Sequence, residues 1–350
     1  MSVFDYEAFR KTRIRPENEI IAKWKGSADK PVVSIVCTAF NHESYIEDAI
    51  KGFLIQETDF PFEIIIHDDA SFDGTIGIID KYKAEYPNII KCIIQSENQY
   101  SKGNNPLEIA FRSSSGSFIA ICEGDDYWIS NYKLQRQYDA LSEFSDINIC
   151  IHPSWVEKSS NGVSYNTMGP YKPSSCVIES EDVVRGGGNY CATASIMIRA
   201  DFVKNLPEWV YRAPITDYFL QGLGSFENGA LFLIERMCVY RSFALGSWSG
   251  KISSTYIPNK LLSAYEIALS EYDRATQYKY SLFFKKQIAA WYQSGAVSSI
   301  RFSSKYDFKE RIIKSNQFYP QLDVSQSLLY TMKNFYPLIR LLYRLVKYVR

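Results

Sequence analysis

The run Glu123-Gly124-Asp125-Asp126 places three carboxylates directly after the apolar stretch Ser117-Phe118-Ile119-Ala120-Ile121-Cys122. Carboxylates at the rim of a core lose hydration and need a cation or hydrogen-bond donors in compensation. Mg2+ and Mn2+ take hard oxygen ligands, binding through one or two carboxylates completed by phosphate oxygens. The chemistry open to such a run is metal-assisted handling of a nucleotide diphosphate. The other account is a solvated acidic turn whose charges favour the start of the next helix. A second acidic pair, Asp68-Asp69, follows Ile64-Ile65-Ile66-His67 and precedes Ala70-Ser71-Phe72-Asp73-Gly74-Thr75. Asp73-Gly74-Thr75 reads as a helix entry capped by Asp73. Capping does not account for Asp68-Asp69, and a carboxylate there can accept the imide N–H of a uracil or thymine ring.

These acids need elements to hold them. The run Val32 to Ala39 is apolar nearly throughout, as a strand covered on both faces must be. Ser44 and Glu47 then read as a capping box, and Ile46, Ala49, Ile50, Phe53 and Leu54 form one helical stripe. Residues 62–67 are a second strand, followed by a helix through Ile76, Ile79, Tyr82 and Tyr86 that Pro87 ends. A third strand is predicted over 89–95, a short helix over 106–113 and a fourth strand over 117–122. Leu134, Tyr138 and Leu141 mark the next helix. This succession predicts an α/β fold with a doubly wound, mostly parallel sheet flanked by helices. Such sheets bind ligands beyond the carboxyl ends of their strands. Thr38, Asp69 and Asp125 each follow a strand directly, so they are expected to converge on one crevice.

Residues 1–30 read as a polar lead-in, with order beginning at Val32. Between 145 and 250 the pattern is mixed, with strands expected over 147–152 and 195–199 and one or two over 231–240. Gly186-Gly187-Gly188 punctuates a turn, and Asp217 opens an apolar helical run. From about 258 onward the pattern is helical.

Composition excludes several classes. Lys plus Arg and Asp plus Glu each total 39, so no basic field points to nucleic acid. The balance of 46% hydrophobic and 22% charged residues is that of a globular chain. The seven cysteines are scattered without a CxxC pair, unlike a zinc site or disulfide framework. His42, His67 and His152 read as hydrogen-bonded structural residues rather than ligands. Met1 to Glu7 lacks a signal-peptide core, and no run of about 18 apolar residues is present. A cytoplasmic protein is expected.

The order and spacing of several motifs resemble those of bacterial family 2 glycosyltransferases, which have the GT-A nucleotide-sugar fold. They are Ser34-Ile35-Val36-Cys37-Thr38-Ala39-Phe40-Asn41-His42, Tyr45 to Ile50, Asp68 to Thr75, Glu123 to Trp128, and Lys133-Leu134-Gln135. The resemblance covers about 30–250. It implies that Thr38, Ala39 and Asn41 line the nucleotide, Thr38 and Ala39 by their backbone, and that Asp69 reads the pyrimidine. Glu123 and Asp125 match the D-x-D element, with Asp125 on the metal and Glu123 toward ribose or sugar as a secondary ligand. Asp126 matches a frequent third acid of open role. Thr216-Asp217-Tyr218 resembles the element that carries the catalytic base, which assigns Asp217 that role. Tyr240-Arg241 and Gly246-Ser247-Trp248-Ser249 resemble a downstream loop, which adds Arg241 and Trp248 as candidate site residues, and Trp248 reads either as part of a lid over the donor or as a packed loop residue. Many relatives carry His where this chain has Phe243, which removes one ligand to metal or diphosphate.

The expected activity is inverting transfer of a sugar from a nucleotide diphosphate, a UDP-sugar, to a hydroxyl of a glycan or lipid-linked acceptor in surface-polysaccharide synthesis, with Mn2+ or Mg2+. The expected domains are the lead-in 1–30, a catalytic domain 31–255 with a nucleotide half 31–145 and an acceptor half 146–255, and a helical region 256–350. A sugar-phosphate nucleotidyltransferase would need a Gly-rich basic loop after the first strand, which 38–42 lacks. A non-catalytic nucleotide-sugar-binding partner of an assembly complex is the alternative that Phe243 favours. Residues 328–350 hold Lys333, Arg340, Arg344, Lys347 and Arg350 and no acid. Apolar residues interleave after Pro337, so 338–350 suits an interfacial helix at an anionic surface, placing the protein peripherally at the cytoplasmic face of the inner membrane.

Overall fold

A computed structural model of the chain describes residues 4–158, 166–242, 244, 256–302 and 304–348, with the side chains of 346–348 excepted. Two compact units result. The first falls within 1–211 and 215–246, the second within 212–214 and 247–350. The division after 246 lies inside the predicted acceptor half.

In the first unit the strands are β1 (Val33–Ala39), β2 (Phe62–Asp68), β3 (Ile90–Ile94), β4 (Phe118–Ile121), β5 (Tyr127–Trp128), β6 (Ile149–Ile151), β7 (Ser154–Glu157), β8 (Asn166–Met168), β9 (Cys176–Ile178), β10 (Met197–Arg199), β11 (Ala230–Phe232) and β12 (Cys238–Arg241). Its helices are α1 (Tyr6–Lys11), α2 (Glu17–Ile21), α3 (Ile46–Leu54), α4 (Thr75–Glu85), α5 (Pro106–Arg112), α6 (Lys133–Glu143), α7 (Ser180–Gly186), α8 (Ala200–Lys204), α9 (Glu208–Arg212) and α10 (Thr216–Gly224). Among the described residues, eight strands form one sheet in the order β3-β2-β1-β4-β10-β6-β11-β9. The half β3-β2-β1-β4 is parallel throughout, and β10 enters antiparallel between β4 and β6. The core explains why the strands are apolar on both faces. Ile35, Cys37 and Ala39 of β1 join the cluster that holds α3, α4 and α6, while Val36 joins the opposite cluster with Ala110 and Phe111 of α5. Successive strand residues thus serve helix layers on opposite sides, the doubly wound, GT-A-like arrangement.

A smaller sheet, β5-β12-β7-β8, lies beside the acidic run. The backbone of β5 meets α3 so closely that a Cβ at Gly52 would stand 2.7 Å from the Trp128 carbonyl oxygen and 2.8 Å from its nitrogen. Only glycine permits this approach.

Several local expectations are corrected. The capping box does not form: α3 begins after Tyr45 with no side-chain cap. The chain enters through a turn in which the Tyr45 and Ile46 amides donate to the His42 carbonyl, and Glu47 instead accepts from the Tyr82 hydroxyl at 3.0 Å. Asp73 stands one position before the assigned cap, Gly74, yet its Oδ1 takes the Thr75 amide at 3.0 Å. The lead-in is not an unstructured preface. It forms α1 and α2, and buries Phe9, Ile20 and Trp24. Short helices with one buried residue each give weak periodicity, which is why the sequence pattern did not reveal them.

The second unit is helical, with α11 (Asn259–Ala275), α12 (Ser281–Arg301), α13 (Lys305–Phe318), α14 (Val324–Thr331) and α15 (Tyr336–Tyr348). Its buried Arg311 is satisfied by the Gly295 carbonyl, the Ser299 and Tyr256 hydroxyls and Asn259 Oδ1.

Candidate active site

Strand register brings the candidate residues level. Val36 of β1 lies beside Ile121 of β4, and Ala39 beside Asp68 of β2. Beyond the strand ends the Gly124 amide donates to the Thr38 carbonyl at 2.9 Å, and the Asp69 amide to the Ala39 carbonyl at 2.9 Å. Thr38, Ala39, Asp69 and Glu123 therefore sit at one end of the parallel half of the sheet. Gly124 is required by a close contact within the protein. A Cβ there would meet His42 Nδ1 and Ile46 Cδ1, each at 2.8 Å.

The first two loops are tied together. The Asn41 amide donates to Ser71 Oγ at 2.8 Å, and Asn41 Oδ1 accepts from the Phe72 amide at 3.0 Å. Asp68 accepts from the Ser71 amide and hydroxyl. Asn41 and Ala70 both adopt left-handed backbone, φ 56° and 65°, a conformation that a non-glycine residue holds only under surrounding constraint. Asn41 thus ties the two loops together through its backbone amide and its carboxamide oxygen. Asp69 is also engaged: Oδ1 takes the Gln99 amide at 2.6 Å and Oδ2 the Tyr100 amide at 3.1 Å. These bonds anchor the turn at 100–102.

The acidic run separates into different environments. Glu123 presents surface to solvent, yet the chain surrounds it closely. Incomplete hydration first, then the charges of Asp125 and Asp217, push its carboxyl up to about 8. Water contact moderates this rise, but all three influences act in the same direction. Asp125 is half-buried. Asp126 is sealed at 1% exposure, and burial followed by repulsion from Asp125 and Glu123 pushes its carboxyl well above the usual range. Its Oδ1 accepts from the Arg241 amide at 2.8 Å, and its buried Oδ2 has no partner among the described residues. Asp126 faces β12 and belongs to the framework.

Arg241 lies behind the acidic turn because β12 pairs antiparallel with β5, placing Val239 opposite Tyr127. Its Nη1 donates to the Asp125 carbonyl at 3.0 Å, its Nη2 to Asp48 Oδ2 at 2.6 Å and its Nε to Glu157 Oε2 at 3.1 Å. The guanidinium also stacks 4.3 Å from the Tyr127 ring centroid. Asp48, on the buried face of α3, additionally accepts from the Tyr6 hydroxyl at 2.8 Å and from Arg10 at 2.7 Å. Sequence reading missed Asp48. An acid within the apolar stripe of α3 was the available signal, but its partners lie at positions 6, 10 and 241.

Asp217 is in the first turn of α10, whose assigned cap is Ile215, so it is not the N-cap. Its Oδ2 accepts from Thr193 Oγ1 at 3.1 Å and its Oδ1 from the Tyr218 amide at 2.8 Å. Burial pushes its carboxyl upward, and its charge acts on Glu123, which places the two acids in one cluster. Asn105 steadies the entry to α10 by donating to Thr216 Oγ1 at 2.8 Å. Phe243 and the 246–249 loop with Trp248 lie outside the described residues.

Among the described residues no three or more His, Cys, Asp or Glu side chains are disposed to hold a metal ion by themselves. Glu123 and Asp125 are hard oxygen donors in a region of excess negative charge, since Arg241 is committed to Asp48 and Glu157. This donor set fits a divalent cation whose remaining ligands are phosphate oxygens. His67 and His152 are buried, with burial lowering both, His152 to about 3. Neither joins the acidic group.

The family model of Glycosyl transferase family 2 matches residues 34–205. An uncharacterized protein of Mycobacterium tuberculosis is 33% identical over 217 residues, 62% of this chain and 60% of that protein. The chain thus spans about three fifths of the length of the curated relatives it matches. The Staphylococcus aureus poly(ribitol-phosphate) beta-N-acetylglucosaminyltransferase TarS is 29% identical over 97 residues, 27% of this chain and 16% of TarS. The crystal structure of TarS 1–349 with UDP-GlcNAc superposes with a TM-score of 0.55 at 15% identity, covering 86% of this chain and 91% of that one. A mannosyltransferase from Pyrobaculum calidifontis, solved with GDP-Man and Mn2+, gives a TM-score of 0.50 at 13% identity over 97% of this chain and 92% of that one. These solved structures share the GT-A-like fold. The segment 34–205 belongs to glycosyl transferase family 2.

Proposed function

We propose that this protein transfers a sugar from a nucleotide-diphosphate donor, a UDP-sugar, to a hydroxyl of a glycan or lipid-linked acceptor, with inversion, in surface-polysaccharide synthesis. The observation that carries the reading is the meeting of Glu123, Asp125 and Asp217 beside the loops of Thr38 and Asp69, at the carboxyl ends of parallel strands. TarS and the Pyrobaculum enzyme, crystallised with UDP-GlcNAc and with GDP-Man, support a nucleotide-sugar donor. The catalytic domain proposed is 31–255, with nucleotide and acceptor halves meeting near 145.

In this reading Thr38, Ala39 and Asn41 line the nucleoside pocket and Asp69 reads the base. Asp125, with Glu123, would hold Mn2+ or Mg2+, which when bound supplies positive charge to the departing nucleoside diphosphate. Arg241 sets the height of the Asp125 backbone through the carbonyl bond at 3.0 Å. Asp217 takes the proton of the acceptor hydroxyl as its oxygen attacks the anomeric carbon and the bond to the diphosphate breaks. Thr193 and the Tyr218 amide fix the carboxylate, and its burial makes it a stronger base than a solvated aspartate.

The test is nucleotide release from a panel of UDP- and GDP-sugars with the purified chain, with and without Mn2+, in the presence of polysaccharide or lipid-linked acceptors. Metal-dependent, acceptor-dependent release from one donor is the expected result. Donor binding without release from any member of the panel would favour the non-catalytic binding role.

A further inference from the structure

The second unit leaves one helix face uncovered. Tyr336 and Ile339 of α15 are buried with Ala296 and Ile300 of α12 and Phe308 and Ile312 of α13, and Tyr343 packs against the same cluster. The side chains at i, i+3, i+4 and i+7 point elsewhere: Leu338, Leu341, Leu342 and Leu345 are 47%, 54%, 45% and 55% exposed. Phe335 just before the helix and Leu328 on α14 are exposed at 62% and 56%. A soluble helix turns its apolar stripe inward, whereas this one buries one apolar face and presents a second. Along the sequence, the charged residues interspersed with these apolar side chains are basic. Lys333, Arg340 and Arg344 lie among them, and the sequence from 324 to 350 contains no acid.

We infer that the Leu338–Leu345 face of α15, extended by Phe335, is a docking surface for anionic lipid. Leucine side chains enter the acyl boundary while neighbouring arginines and lysine stay at the phosphate level, the division of labour of interfacial helices. The charge decides the occupant: a basic border with no acid complements anionic headgroups and would repel an identical border on a second copy. No described helix is long and apolar enough to cross a membrane, so the contact is peripheral. The inference goes beyond sugar transfer and does not depend on it.

Flotation of the full chain with phosphatidylcholine vesicles, with and without about a third phosphatidylglycerol, tests it, because anionic lipid is the variable that matters. The expected result is binding to the anionic vesicles, reduced about tenfold or more by L341E/L345E and weakened by high salt. Both substitutions are at exposed positions, so the melting temperature should be unchanged, and Leu341→Ala/Leu345→Ala should give an intermediate loss without adding charge. No binding to anionic vesicles, or binding that ignores both double variants, overturns the inference. A solution dimer that L341E/L345E dissociates, without vesicle binding, would assign the face to a second copy and overturns it equally. Failure of vesicle binding leaves the transfer assay untouched, since that assay needs no bilayer.

Discussion

Replacing Asp48 by Asn removes one negative charge from behind the acidic turn while keeping side-chain size. Asp48 is 2% exposed and its two oxygens serve Tyr6, Arg10 and Arg241. An asparagine accepts through one oxygen only, and its amide must then face a cationic donor. Removing one partner of a buried ion pair costs about 3–5 kcal/mol, because the other charge stays behind. Here Arg241 keeps Glu157 at 3.1 Å and the Asp125 carbonyl at 3.0 Å. The expected loss is therefore at the low end, about 3 kcal/mol. In a unit of this size that lowers Tm by roughly 6–12 °C. The assay is thermal unfolding of D48N, R241M and the double variant. Because the two residues share one contact, the double variant should lose about 2 kcal/mol less than the sum of the singles. A second readout separates positioning from plain stability. With UDP present, Mn2+ affinity of D48N should weaken about tenfold or more, as expected when a group supporting a ligand is lost. UDP affinity without metal should hold. Single-variant losses that add within about 0.5 kcal/mol, or unchanged Mn2+ affinity, would refute the argument that this pair supports the turn.

Three further outcomes follow from the same geometry. Asp217→Asn should cut transfer by about 10²–10⁴-fold while leaving UDP affinity within about twofold, and full transfer in that variant removes Asp217 from the mechanism. Glu123 and Asp217 are both raised in the folded state, so the native protein holds their protons more tightly than the unfolded chain. Stability contributed by these protons is present at acid pH and lost as pH rises above the ordinary carboxylate range, toward about 8 for Glu123. Metal-free protein should therefore melt lower at pH 8 than at pH 5.5, and Glu123→Gln should flatten that dependence. Identical slopes in both proteins would show that Glu123 is ordinarily solvated. Gly124→Ala would drive a methyl group into His42 and Ile46 and should cost about 1–3 kcal/mol by overpacking. Both the melting temperature and transfer should fall, and an unchanged melting temperature would mean that the turn adjusts freely.

Much of the parallel half was legible because its physics is local. The strands at 33–39, 62–68, 90–94 and 118–121 are short apolar runs, and the helices between them carry 3.6-residue stripes or clear stops. That order also placed Thr38, Asp69, Glu123 and Asp125 at one end of the parallel strands, since parallel strands joined by crossovers put successive carboxyl ends together. The capping box at Ser44 failed because a turn closed by the His42 carbonyl starts α3 instead. The second sheet was poorly legible, as β5 has two residues and β7, β8 and β12 three or four, too few for periodicity.

By itself the sequence determined the class of fold, the set of acids and their order along strand ends, because those follow from residue type and short spacing. Tertiary structure alone decided what holds each acid. Asp126 is turned toward the Arg241 amide and Asp69 is held by the amides of Gln99 and Tyr100. Asp48, in the stripe of α3, joins residues 6, 10 and 241 beneath the acidic turn. These assignments depend on contacts between residues up to 193 positions apart. Hydration and charge at a carboxylate are set by whatever the fold packs against it, and local spacing carries no record of that.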